Sequence, residues 1–253
     1  MKKVVVVGAS TGLGRCIGIG LAQRGTRVAL MARSEEKLAD AAREAGNHAV
    51  AIACDVTDEV SCKTAIAEAA EGLGGIDTVV YAAAVGPLGR LKDTDPAAWR
   101  RAFDTNVVGA SMITAAALPH LTKSAGNVLF MSTTGASYTP PWPGLAVYQV
   151  TKAALDRLAD AWRVEHPGVS FTRVTIGECG GGAGDAQSHF MKGWDLNLMG
   201  ELAPTWLARN YLGMVLMDVD HLVGMFDALV NAGPSLQTPS ITLIPRPAIA
   251  EGP

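Results

Sequence analysis

Short apolar runs that recur between helix-like segments constrain this chain more than any single residue does. Residues 4–7, 28–31, 49–53 and 78–81 are almost continuously apolar, and helix-forming stretches separate them. A strand with one wet face alternates apolar and polar side chains, whereas a strand that is apolar throughout is covered on both faces, as in a parallel sheet. Right-handed crossovers then lay helices on both sides and give a doubly wound α/β fold. The spacing predicts helices over about 34–44, 58–73, 205–217 and 221–230, and a last strand over 240–243. Neither a second domain nor an internal repeat is visible, so residues 1–253 read as one domain with about seven strands and helices on both faces.

Ligands of such sheets sit at the carboxyl ends of the strands. The first strand ends in a turn with Gly8, Gly12 and Gly14, followed by an apolar helix-like segment. Glycines let the backbone approach a pyrophosphate closely, and the free N–H groups of a helix start favour its charge. A plain strand-to-helix turn is the alternative, but the position at the head of an alternating pattern favours a nucleotide. After the second strand comes Ala32-Arg33-Ser34, with no acid to hold a ribose 2'-hydroxyl. Arg33 suits a 2'-phosphate instead, or is a solvated surface arginine. Asp55, after the third strand, either receives an adenine amino group or caps the next segment.

A second set of chemistry-bearing residues lies between 131 and 152. Tyr148 and Lys152 are four apart and share one face of a helix. A phenol has a pKa of about 10, and a neighbouring ammonium is expected to lower it toward the range where it passes protons near neutrality. Ser132, at the end of an apolar run, can donate to the same substrate oxygen. Together these suit making or breaking an alcohol, against the alternative of a chance Tyr-x-x-x-Lys on an amphipathic helix. Asp95 and Pro96 read as the N-cap and first residue of a long helix over about 96–117, which carries Asn106. Taken alone, Asn106 is a structural polar residue.

Composition bears on partners. With 253 residues, 49% hydrophobic and 18% charged, the chain can bury a large core, and a net charge of -3 without long runs of one sign gives no reason to expect nucleic acid or a membrane surface. A small molecule is the expected partner. The four cysteines form no C-x-x-C pair or zinc spacing, so reduced thiols and no metal are expected. No apolar run approaches the length of a membrane span, and a cytoplasmic location is expected. Residues 178–202 begin with GECGGGAG and continue with Phe190, Met191, Trp194, Leu196, Leu198 and Met199. This reads as a substrate flap over an apolar pocket, with a core helix as the alternative, and the Trp142 loop lines the same mouth. His189 is the one histidine placed to meet substrate; solvent exposure is its other reading.

GASTGLG, CDVTD, the Asn106-Val107-Val108-Gly109 stretch, Ser132 and Tyr148-x-x-x-Lys152 together resemble the short-chain dehydrogenase/reductase family over nearly the whole chain. The resemblance implies a Rossmann fold, a homodimer or homotetramer, and an NADP(H)-dependent oxidoreductase acting on an apolar ketone, aldehyde or alcohol. It implies Tyr148 as proton donor or acceptor, Lys152 as its tuner and ribose ligand, Ser132 as carbonyl orienter and Asn106 as organiser of a proton-relay water. Ser132 is preferred over Thr133 and Thr134 because the family serine is followed by two residues and a glycine, as Ser132 is by Thr133, Thr134 and Gly135. Cofactor contacts are implied for Gly8, Ser10, Thr11, Gly12, Leu13 and Gly14 in the turn. Further contacts are implied at Arg33, Asp55, Val56, Ala83 and Gly177, and at Tyr148 and Lys152 themselves. The chain departs from the family in having Val7 before the turn, Tyr81-Ala82-Ala83-Ala84 where Asn-Asn-Ala-Gly is usual, and Ile176-Gly177 where Pro-Gly is usual. A cofactor-binding sensor or scaffold would tolerate these changes but would not need Tyr148. A sugar-nucleotide epimerase of the extended relatives would need a larger C-terminal part.

Overall fold

The four valines of residues 4–7 are all completely buried, which is possible only if both faces of their strand are covered. In the computed structural model, which describes residues 1–46, 48–181, 188–211 and 215–246, they form the centre of a parallel sheet. Its strands are β1 (Lys3–Val7), β2 (Arg27–Ala32), β3 (Ala49–Ala53), β4 (Thr78–Tyr81), β5 (Asn127–Thr133), β6 (Ser170–Ile176) and β7 (Ser240–Leu243). They lie in the order β3-β2-β1-β4-β5-β6-β7, so the direction of winding reverses between β1 and β4. Val7 stands opposite Met31 on one side and Tyr81 on the other, which brings the carboxyl ends of the three central strands level.

The helices are α1 (Gly12–Gln23), α2 (Glu35–Ala45), α3 (Glu59–Leu73), α4 (Pro96–Phe103), α5 (Gly109–Ser124), α6 (Thr134–Ser137), α7 (Ala146–Glu165), α8 (Leu196–Ala208) and α9 (Val219–Val230). Alternate residues of each strand serve the two faces. Val5, Val7, Val79 and Phe130 pack with Ile66 of α3, Ile113 of α5 and Leu155 of α7, while Val4, Val6, Val80 and Leu129 pack with Ile17 of α1, Leu38 of α2 and Phe226 of α9. Helix starts follow local chemistry. Asp58 accepts from Ser61 N at 2.6 Å at the head of α3, and Asp95 accepts from Ala97 N at 2.9 Å with Pro96 at the first position of α4.

Two helices depart from the sequence reading. The single helix expected over 96–117 is instead α4 and α5, joined by a wider π turn over Asp104–Val108 that directs Asn106 inward. The helix expected over 205–217 starts earlier, because Asp195 caps it by accepting from Asn197 N and Leu198 N at 2.8 and 3.3 Å, and it stops at Ala208. Residues 212–214 of that expectation, and 182–187 of the expected flap, lie outside the described residues. Among the described residues, no helix is long and apolar enough to cross a membrane.

Phe226 is completely buried against the sheet, so Phe226→Ala is expected to cost about 3–5 kcal/mol by leaving a cavity there. Urea denaturation should show a lower midpoint with an unchanged slope; an unchanged midpoint would mean that α9 contributes little to the core.

Candidate active site

The turn after β1 is compressed. Gly8 has φ +87°, and a Cβ built on it would lie 2.6 Å from the backbone nitrogen of Ala83. A Cβ on Gly14 would collide with the carbonyl oxygen of Gly8. Glycine is therefore required at both places, and the turn lies directly against the loop after β4. Thr11, the N-cap of α1, makes no side-chain cap, which leaves the first N–H groups of the helix open to an anion. This glycine cradle fits a pyrophosphate. It forms one wall of a cleft of about 910 Å³ at the carboxyl ends of the strands.

The cleft brings together nearly every residue singled out in the sequence. Gly8, Ser10, Thr11, Gly12, Leu13 and Gly14 line it, as do Arg33, Asp55, Val56, Ala83 and Gly177, and Ser132, Tyr148 and Lys152. Asn106 does not. Its fully buried side chain accepts from Val85 N at 2.8 Å, donates to Val85 O at 2.9 Å and donates to Thr151 Oγ1 at 2.8 Å. These bonds tie the loop after β4 to α7 from behind the cleft.

At the far end, Asp55 accepts from Thr57 N and Thr57 Oγ1 at 2.9 and 2.7 Å. The backbone bond from Thr57 is the main reason its carboxyl sits below the ordinary range, with the hydroxyl of Thr57 and the nearby Arg33 acting in the same direction against partial burial. Asp55 thus caps its own turn and still faces the cleft. Arg15, which follows the glycines, is buried and paired with Glu44 at 2.8 Å, while Arg33 is exposed on the rim.

Tyr148 and Lys152 stand on the first two turns of α7. Lys152 is buried, and its Nζ donates to Met131 O at 2.7 Å, 5.8 Å from the centroid of the Tyr148 ring. The expected lowering of the phenol by this ammonium is not what the structure gives. Although part of Tyr148 opens into the cleft, its depth pushes the phenol up to about 12, opposed by the side chain of Thr133. Burial likewise pushes Lys152 down to about 8, with Asp156 holding it back. Both shifts have one cause, since a low-dielectric surrounding disfavours whichever form is charged.

The three hydroxyls at the end of β5, Ser132, Thr133 and Thr134, all line the cleft. Ser132 Oγ is buried without a hydrogen-bond partner among the described residues. It lies beside Asp156, whose carboxyl is raised by burial and eased down by Ser132. Thr133, at the end of the strand, eases the Tyr148 phenol down against its burial.

A lid of aromatic residues covers the site. Phe190 meets the Tyr148 ring edge-on at 4.8 Å, Trp194 meets Phe190 at 5.4 Å, and Trp206 meets Trp194 at 6.4 Å. Trp142 stacks on Tyr211 at 5.4 Å. Trp194 Nε1 donates to Gly86 O at 2.8 Å and Trp206 Nε1 donates to Pro143 O at 2.9 Å, so these two indoles are satisfied, whereas Trp142 Nε1 is buried without a partner among the described residues. The sequence reading passed over Trp206, Tyr211 and Leu202, which form the small core under this lid. The Asp195 cap followed by apolar residues was the signal that could have found them.

A glycine cradle at the strand ends, with a Tyr and a Lys one turn apart beside it, defines the nicotinamide-dependent oxidoreductases built on this sheet. The family model described as short chain dehydrogenase matches residues 2–189, and the chain belongs to the short-chain dehydrogenase/reductase family. It is 31% identical over 182 residues to 11-beta-hydroxysteroid dehydrogenase A of Sesamum indicum, covering 70% of this chain and 52% of that protein. The chain thus spans about half the length of that relative. An uncharacterized oxidoreductase of Staphylococcus epidermidis is 30% identical over 179 residues, with 70% and 77% covered. Among solved structures, a short-chain type dehydrogenase/reductase from Mycobacterium marinum superposes with a TM-score of 0.81 at 24% identity, over 96% of this chain and 94% of that one. An alcohol dehydrogenase from Thermococcus sibiricus complexed with 5-hydroxy-NADP does so with a TM-score of 0.79 at 22% identity, over 96% of both chains.

The buried ammonium gives a signed prediction. The folded pKa of Lys152, about 8, is below the 10.5 of an exposed lysine, so between these values the unfolded chain binds more protons and stability rises with pH. Below pH 8 the full cost of burying the charge is present. Lys152→Met should therefore gain stability relative to wild type below pH 8, and this advantage should shrink as the pH climbs toward 10.5. Thermal melts of both proteins across that range measure it, and a constant difference would mean that Lys152 is not strained by burial.

Proposed function

We propose that the protein is an NADP(H)-dependent oxidoreductase that interconverts an apolar ketone or aldehyde and its alcohol, with Tyr148 as the general acid in reduction. The observation that carries this reading is the Tyr148 phenol, kept protonated by burial at the foot of an aromatic cleft beside the glycine cradle. The cofactor, when bound, supplies or accepts the hydride.

The chain's own residues divide the remaining tasks. Tyr148 gives its proton to the developing alkoxide, for which a neutral phenol is the required form. Thr133 donates a hydrogen bond to the same oxygen and takes the role that the sequence pattern assigned to Ser132. Lys152, anchored on Met131 O, offers its remaining N–H groups to the ribose side of the cleft. Asn106 holds Val85 and Thr151 in place, so its contribution is to fix the wall on which substrate rests. Arg33 supplies the charge and planar fork suited to a 2'-phosphate, since no carboxylate stands at that strand end. Phe190, Trp142 and Trp194 exclude water and give the pocket its apolar preference.

NADPH oxidation followed against a panel of apolar ketones, aldehydes and quinones separates this reading from a cofactor-binding sensor, which would bind NADPH and turn over none of them. On an active substrate, Thr133→Val should lose about 100- to 1,000-fold in kcat/KM and Ser132→Ala much less. The opposite order would return the role to Ser132. Wild-type kcat/KM should favour NADPH over NADH, and Arg33→Asp should erase the preference; equal use of NADH by the wild type would refute the cofactor assignment.

A further inference from the structure

The strap over residues 188–194 crosses the whole cleft. At one end Ser188 packs over Gly12, where a Cβ would meet Ser188 Oγ at 3.3 Å. In the middle Phe190 lies on Tyr148, and at the other end Trp194 is bonded to Gly86 O. Between Ser188 and Phe190, His189 leans the other way: its Nε2 is 3.1 Å from Nζ of Lys37, a residue of α2 that is 152 positions away in the chain. Two basic side chains from different elements meet there over the rim of the cleft.

The surroundings of this contact are cationic. Arg33, Lys37, His189 and Lys192 all line the cleft, with Asp55 and Glu178 as its acidic lining residues. Among the described residues, none of Arg33, Lys37 and Lys192 forms an ion pair with a carboxylate, whereas Arg15 nearby is paired with Glu44. Slight burial, and after it the charges of Lys37 and Lys192, hold the His189 imidazole below its ordinary pKa. A dianionic phosphate is the chemistry that such a cluster receives.

We propose that Lys37 on α2 and His189 on the strap are the two jaws of an anion site for the adenosine 2'-phosphate of NADP(H), and that closing them seats Phe190 against Tyr148. Because His189 and Phe190 are adjacent, a grip on the phosphate at one residue fixes the aromatic wall of the substrate pocket at the next. The 2'-phosphate then serves the substrate site as well as cofactor affinity. This inference rests on the NADP(H) reading above and adds a second source of cofactor discrimination to Arg33.

The test uses 2',5'-ADP and 5'-AMP, which carry the adenosine end without the nicotinamide. Binding by titration calorimetry is paired with tryptic cleavage after the exposed Lys192, followed by mass spectrometry. The wild type should bind 2',5'-ADP more tightly than 5'-AMP, and saturating 2',5'-ADP but not 5'-AMP should slow that cleavage. His189→Ala and Lys37→Ala should each weaken 2',5'-ADP by about tenfold, as for a lost hydrogen bond to a charged group, leave 5'-AMP unchanged and remove the protection. If His189→Ala binds 2',5'-ADP as the wild type does while Arg33→Ala does not, the jaws are wrong and the NADP(H) reading stands. If 5'-AMP protects the strap equally, closure does not depend on the 2'-phosphate and the inference is overturned. Equal wild-type affinity for the two nucleotides would refute the NADP(H) reading itself.

Discussion

The close approach of the Gly8 turn to the loop after β4 is the contact on which the rest of this structure depends. The crossover from β1 runs through α1 on one face of the sheet, and that from β4 runs through α5 on the other. The two strand ends therefore part above the sheet, and a cleft opens between them. Only a glycine at position 8 lets the walls of that cleft come together at its base, because any Cβ there would occupy the position of the Ala83 backbone. The substitution of alanines for the asparagines usual after β4 acts at this contact too. Small side chains at 82–84 keep the approach open, and Asn106 holds the same loop through both backbone groups of Val85.

Desolvation sets the chemistry of the site. Burial moves the Tyr148 phenol up to about 12 and the Lys152 ammonium down to about 8, so near neutrality the phenol is uncharged and the ammonium still holds its proton. A neutral phenol carries the proton that an alkoxide would need, while its raised pKa makes it a weaker acid until charge develops beside it. The aromatic lid strengthens the effect, since Phe190 covers the edge of the same ring.

Much of this was legible in the sequence, for identifiable reasons. Four successive valines can be buried only in a doubly covered strand, and Asp58, Asp95 and Pro96 carry their capping function in their covalent structure. What stayed hidden depends on phase or on distance in the chain. In β5 the side chains of Val128 and Phe130 face α7 while Leu129 and Met131 face the other layer, so alternation turns Ser132 toward α7, the helix that carries Tyr148, Lys152 and Asp156, and Thr133 is the last residue of the strand, where this alternation ends. Strand alternation gives Ser132 to Asp156. The pattern of two residues and a glycine after the serine contains no information about that phase. The sequence could not name the partners of Asn106, because Val85 and Thr151 are 21 and 45 positions away. The start of α8 was missed because residues 178–202 read as a flap and Asp195, which caps the helix, was not singled out. The i, i+4 spacing correctly put Lys152 and Tyr148 on one face, yet spacing says nothing about depth, and depth reversed the expected shift of the phenol.

The role of Tyr148 is tested most directly by removing its hydroxyl and keeping its ring. Tyr148→Phe should fold, bind NADPH with nearly unchanged affinity by fluorescence titration, and lose about 100- to 10,000-fold in kcat/KM on a ketone that the wild type reduces. Near-normal turnover in that folded variant would contradict the assignment of Tyr148 as the proton donor, and with it the reading of the cleft as a carbonyl-reducing site.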